Sequence, residues 1–238
     1  ATPTIANING PGANRVSMVY GGWKDGIANA DLIYVGKVNQ VWTRTTSGGA
    51  ITVTTALPDG ASTLTDVAIN TFDWNTVFAV DRNQVFMSTN GGTSWNDITG
   101  NLVTVSPGLD LRTIEFVPGA AENSIADGTR SGVFRASLSA PSIWSKVGTA
   151  LPDVLVFDLE YDKTDDILAA ATLGRSVWVM PSASLELNPA GTLTITADDA
   201  GGNGAGTGTG DNYEIRLDAT GAVLQVFIDG NFSRSVAL

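Results

Sequence analysis

Neither cysteine nor histidine occurs anywhere in the 238 residues. The first absence excludes disulfides and thiolate chemistry. The second removes His-based triads, the usual general base near neutral pH and nearly every zinc site. Basic residues are also scarce: 13 Lys and Arg stand against 24 Asp and Glu, for a net charge of −11. A nucleic acid would meet a repulsive field with no basic stripe to offset it, so no nucleic-acid partner is expected. No apolar run reaches the roughly 18 residues of a membrane-spanning helix, and no membrane insertion is expected. The opening "ATPTIANING" has neither the basic nor the apolar region of a signal peptide, so the expectation is a chain without one, removed or never included.

What is present is a large apolar fraction, 43%, enough for a sizeable core, with abundant Gly, Thr, Ser and Asn. Such a composition, poor in Lys and without Cys, points to an exported bacterial protein, extracellular or on the cell surface.

A repeat organises the chain. Val-aromatic pairs recur at Val41-Trp42, Val85-Phe86, Val133-Phe134 and Val177-Trp178, with spacings of 44, 48 and 44 residues. Upstream of each lies an alternating pattern, "RVSMVY", "LTDVAI", "LRTIEF" and "VFDLEY", in which Met18, Val67, Ile114 and Leu159 occupy matching positions. Between the two markers sits a second short strand, and nine residues separate Ile33 from Trp42, Val77 from Phe86, Ile125 from Phe134 and Ala169 from Trp178. Three units continue into a fourth piece, "AITVTTALP", "SWNDITGNL" or "IWSKVGTALP". Period-2 alternation with Thr, Val and Ile enrichment predicts strands, and no stretch has helical periodicity. Four-stranded units at this period predict an all-β fold of β-propeller blades.

The segment "STNGGTSWNDIT", residues 88–99, joins the third and fourth strands of the second unit. It resembles the Asp-box (Ser-x-Asp-x-Gly-x-Thr-Trp) of BNR-type propellers, the sialidase and sortilin-like family, with Ser88, Asn90, Gly92, Thr93 and Trp95 in the box and Asn90 replacing its Asp. An Asx side chain folds back onto turn amides, glycine accepts positive φ, and the tryptophan buries between sheets. The resemblance implies a structural role, and Ser88 has no base to activate it. The segment "LPDVLVFDLEYDKTDDILAAATLGRSVWVM", residues 151–180, is similar to the closing part of bacterial BNR/sortilin-type propellers, with Gly174, Arg175, Val177 and Trp178 matching. The resemblance spans residues 15–181 and implies the C-terminal blades of a propeller.

Four units without a fourth strand after Met180 leave two readings open. The chain is part of a larger propeller, or "TPTIANI" completes the last sheet and closes a four-bladed ring. If the ring is open, its exposed edges are expected to meet other protein chains or further copies of this one. The predicted division is residues 1–181, the propeller segment, and 182–238, a small Gly-rich antiparallel β-module like those that follow propellers in large bacterial surface proteins. Within that module Asp198, Asp199 and Asp211 are candidates for Ca²⁺, the sole cofactor contemplated; a solvated acidic loop is the competing reading.

Two function classes follow. Trp23 in "GGWKDG" and Trp74 in "TFDWNT" lie outside the strand pattern, where exposed rings flanked by Asp, Asn and Gly suit a carbohydrate or a protein surface; the alternative is that each packs between blades. This supports a non-catalytic binding or scaffolding module serving adhesion or assembly. The other class is a fragment of a BNR-type glycoside hydrolase, sialidase- or xyloglucanase-like. Its best support is Asp158 and Glu160, which alternate on one strand and so share a face at the roughly 5 Å end of the range glycosidases use. The sialidase arginine triad is not assembled from the chain's nine arginines, so no catalytic residue is assigned.

Overall fold

The computed structural model describes residues 15–119, 122–148, 151–184, 213–217, 223–228 and 231–237. The chain divides into two compact units, Ala1–Thr196 and Ala197–Leu238.

Among the described residues the first unit holds four antiparallel sheets of three or four strands, one after another along the chain. Strands β1 (Arg15–Tyr20), β4 (Ile33–Lys37), β5 (Gln40–Arg44) and β6 (Thr52–Val53) form the first sheet in that order. The second sheet runs β7 (Leu64–Ile69), β8 (Val77–Asp81), β9 (Val85–Ser88), β10 (Asn96–Asp97). The third runs β11 (Thr113–Val117), β12 (Ser124–Thr129), β13 (Gly132–Ser137), β14 (Trp144–Lys146). The fourth has β15 (Val156–Asp162), β16 (Ile167–Thr172) and β17 (Val177–Pro181), and no fourth strand among the described residues. In the second compact unit β18 (Tyr213–Leu217), β19 (Val223–Ile228) and β20 (Asn231–Ala237) make an antiparallel sheet.

The matching positions of the repeat are cross-strand neighbours in space. Met18, Val67, Ile114 and Leu159 pair with Val35, Ala79, Asp127 and Ala170, which pair in turn with Trp42, Phe86, Phe134 and Trp178. In the first three sheets seven residues join the second pair, in the fourth eight, because the turn at Gly174 and Ser176, both at positive φ, is one residue longer. The equal nine-residue spacing of the sequence therefore slips by one register step in the last unit.

First strands lie side by side, β1 against β7, β7 against β11, and β11 against β15. Each sheet packs face-on against the next. One apolar cluster, with Tyr34, Val67, Phe86 and Trp95, lies between sheets one and two. A second, with Phe78, Ile114, Phe134 and Trp144, lies between two and three, and a third, with Val117, Leu159 and Leu168, between three and four. The second strands of the middle sheets are covered on both faces: β8 "VFAVD" and β12 "SIADGT" are buried at every residue, their polar Asp81, Ser124, Asp127 and Thr129 included.

Two small elements were absent from the predicted pattern. A one-turn helix α1 (Leu102–Val105) follows β10 and buries Leu102. A hairpin, β2 (Trp23–Lys24) and β3 (Ile27–Ala28), interrupts the first unit, turned by Asp25 and Gly26 at positive φ. Asp-Gly is the usual pair for such a turn.

Candidate functional site

At one end of the first strands, the loops that follow them converge on a cavity of about 540 Å³. All four repeats contribute: Gly22 and Trp23 after β1, Thr71 and Phe72 after β7, Glu115 and Phe116 from β11 with Pro118 beyond, and Tyr161 with Lys163 from the end of β15. Each repeat brings one aromatic ring: Trp23, Phe72, Phe116 and Tyr161.

The walls are held by backbone and ring contacts. The Trp23 amide donates to the Thr71 carbonyl at 3.2 Å, and the Trp74 amide to the Trp23 carbonyl at 3.0 Å, fastening the hairpin to the neighbouring loop. Gly22 has φ +143°, and a Cβ there would lie 3.0 Å from Trp74 Cβ, so the close approach requires glycine. Asn70 Oδ1 accepts from the amides of Phe72 and Asp73 and shapes the second loop. Phe72 meets Phe116 edge-to-face at 6.2 Å, and Lys163 Nζ stands 4.6 Å from the centre of the Phe72 ring. Trp23 and Phe72 remain about half exposed, leaving apolar ring surface for a ligand.

Glu115 supplies the polar group of the floor. Burial, reinforced by the carboxylates of Glu160, Asp66 and Asp158, pushes it up to about 8, although the Tyr161 amide donates to it. At neutral pH it is a carboxylic acid and can donate a hydrogen bond. Tyr161 Oη donates to Asp166 at 2.9 Å, and burial with that carboxylate raises the phenol to about 12.

The two predicted aromatics part company here. Trp23 stands on the cavity wall, whereas Trp74 packs against the cluster between sheets one and two, with Lys24 Nζ 5.5 Å from its ring centre. Phe72, Glu115, Tyr161 and Lys163 were not singled out in the sequence, because nothing in a single unit marks them. The signal was in the repeat: they lie within five residues after Val67, Ile114 and Leu159, where the loops of all units coincide. Asp158 and Glu160 are both exposed and share a face. The candidates Asp198, Asp199 and Asp211 lie outside the described residues.

The segment after β9 is a closed hydrogen-bonded turn. Ser88 Oγ accepts from the Asn90 and Gly92 amides and donates to Asn90 Oδ1, which also accepts from the Ser94 amide. Gly91 and Gly92 take positive φ. The Gly92 carbonyl accepts from the amide and hydroxyl of Thr55 in the first unit, and Trp95 is buried between the sheets. The corresponding Trp144 is buried in the third unit, its Nε1 donating to the Ile98 carbonyl at 3.0 Å.

No family model matches this chain, and no curated protein matches it. Solved structures do. The chain is similar to one described as the Dos1 propeller, at TM-score 0.54 and 12% identity over 94% of this chain and 58% of that one. It is also similar to the extracellular domain of a protein described as a hybrid two-component system from B. thetaiotaomicron, at TM-score 0.51 and 14% identity over 92% of this chain and 26% of that one. The fold is that of β-propeller blades. Thus the four sheets are blades, the first strands their inner strands, and the cavity lies at one mouth of the arc they describe. The chain spans about a quarter of one of these structures and under three fifths of the other.

Proposed function

We propose that this chain is a non-catalytic binding and scaffolding module of an extracellular or surface protein, built from BNR-type blades, and that its ligand is a carbohydrate seated in the four-loop cavity. The observation that carries the reading is the cavity itself. Half-exposed Trp23 and Phe72 offer flat apolar faces, while protonated Glu115 and the Lys163 ammonium offer donors beside them. Sugars present apolar ring faces and acceptor hydroxyls, and such a mixture of few polar groups among aromatics is what orients a small ligand. The location accords with the Lys-poor, Cys-free composition, and one of the similar structures is itself an extracellular domain.

The test is a titration of Trp23→Ala and Trp74→Ala against a panel of soluble glycans by calorimetry. Trp23→Ala is expected to weaken binding at least about tenfold with unchanged melting, and Trp74→Ala to lower the melting temperature. No binding by the parent chain would overturn the carbohydrate assignment. Turnover of a glycoside that is lost in Glu160→Gln would replace the module with a hydrolase.

A further inference from the structure

A side-chain-to-backbone clasp recurs at each of the three internal blade junctions. Residues Ser17, Asp66 and Thr113 immediately precede the matching positions of blades one to three. Each accepts a hydrogen bond from the amide of the matching residue in the next blade. The Val67 amide donates to Ser17 Oγ at 3.4 Å, the Ile114 amide to Asp66 Oδ2 at 3.0 Å, and the Leu159 amide to Thr113 Oγ1 at 3.3 Å. Asp66 ties the series together, accepting from the Ser17 hydroxyl at 2.5 Å and the Thr113 hydroxyl at 3.0 Å. A register irregularity precedes Ser17, Asp66 and Asp158, whereas β11 pairs regularly with β12 from Thr113 onward.

The clasp has a direction, with the side chain in one blade and the amide in its successor. Blade four repeats the acceptor half. Asp158 precedes Leu159, is exposed, and accepts no hydrogen bond among the described residues. Its face carries Ala171 and Val177 beside it and Glu160, Ala169 and Val179 in the next row. Val177 and Val179 are 63% and 64% exposed there, although the equivalent faces of the earlier blades are covered by the next sheet. At the other end of the series Met18 occupies the donor position, and Met18 and Tyr20 are 57% and 72% exposed. Deeper on that face Ile33 and Val35 are already covered, so the free part of blade one is its inner strand.

We propose that the open face of blade four receives blade one of a second copy of this chain, with Asp158 accepting the Met18 amide of that copy as in the three internal junctions. The two ends are complementary in hydrogen-bonding sense, and both expose large apolar side chains, Val177 and Val179 on one and Met18 and Tyr20 on the other. Pairing two fourth blades would instead set Asp158 and Glu160 against their own copies in a chain of net charge −11. Head-to-tail contacts form rings when the rotation closes, and two copies bring eight blades, within the four to eight of closed propellers. This inference is independent of what the cavity binds.

The experiment is light scattering of the 238-residue chain over a concentration series, with Asp158→Ala and Asp158→Asn. A species of twice 24.7 kDa is expected. Asp158→Ala should raise its dissociation constant at least about tenfold, or ~1.4 kcal/mol. Asp158→Asn, which keeps a neutral acceptor as Ser17 and Thr113 do, should stay within about threefold of the parent. Since the chain lacks cysteine, mixing Tyr20→Cys with Val179→Cys under oxidation should cross-link the two. A monomer throughout, equal dimers for both Asp158 variants, or Val179→Cys joining chiefly to itself would each overturn the proposal. Trp23→Ala must leave the dimer intact, so loss of glycan binding and loss of the junction read separately.

Discussion

Burial governs the carboxyl groups along and beside the inner strands. Asp66 is raised by burial in spite of the hydroxyls and amides that donate to it, and Glu115 is pushed up to about 8. Asp127, fully buried, is raised well above the usual carboxyl range by burial and by Asp66. Each is raised, so its contribution is fully present below the unfolded carboxyl range and is lost as pH rises through its folded value, which for Glu115 is about 8. Asp97 and Asp110 are lowered, Asp110 first by Arg112, and their contribution is lost only on acidification below about pH 4. Thermal melts should therefore show a higher midpoint at pH 5 than at pH 8, and Glu115→Gln should flatten the slope; a midpoint rising over this range would refute the assignment. Asp127 stands where blades two and four carry Ala79 and Ala170, and neither of its oxygens has a hydrogen-bond partner among the described residues. Removing an unsatisfied buried group without loss of much packing is favourable. Asp127→Ala should raise urea-unfolding stability by about 1 kcal/mol, and a loss of stability would show that the carboxyl does necessary work.

At the scale of the element, the turn after β9 shows how a short polar motif sets the place of a large ring. Ser88 is fully buried and its hydroxyl satisfies two turn amides, so Ser88→Ala leaves them unpaired at a cost of about 1–3 kcal/mol. Trp95→Ala opens a cavity between blades one and two and should cost about 3–5 kcal/mol. Denaturant titration of the two variants tests both; a Trp95→Ala chain as stable as the parent would remove the ring from the junction. Gly92 leaves no room for a side chain, since a Cβ would collide with Thr54 at a positive φ. The motif was legible in the sequence because its residues are local: one turn closes on itself within seven positions. The β2–β3 hairpin was legible only in part. "KDG" announces a turn, but strands of two residues carry no periodicity.

Across the whole molecule, the sequence by itself determined the four repeats, their strand order and the residues that mark each strand, because alternation and turn chemistry act over a few residues and the repeat supplies the same message four times. It also excluded thiol and imidazole chemistry through what it lacks. Tertiary structure alone decided which side chains meet between blades. Ser17, Asp66, Thr113 and Asp158 lie 45 to 49 residues apart, and their common role appears only when the inner strands lie side by side. The cavity joins Trp23 to Lys163 across 140 positions, and the parting of Trp23 from Trp74 depends on which ring the neighbouring sheet covers. Burial is set by distant neighbours, and a local pattern of residues does not encode it.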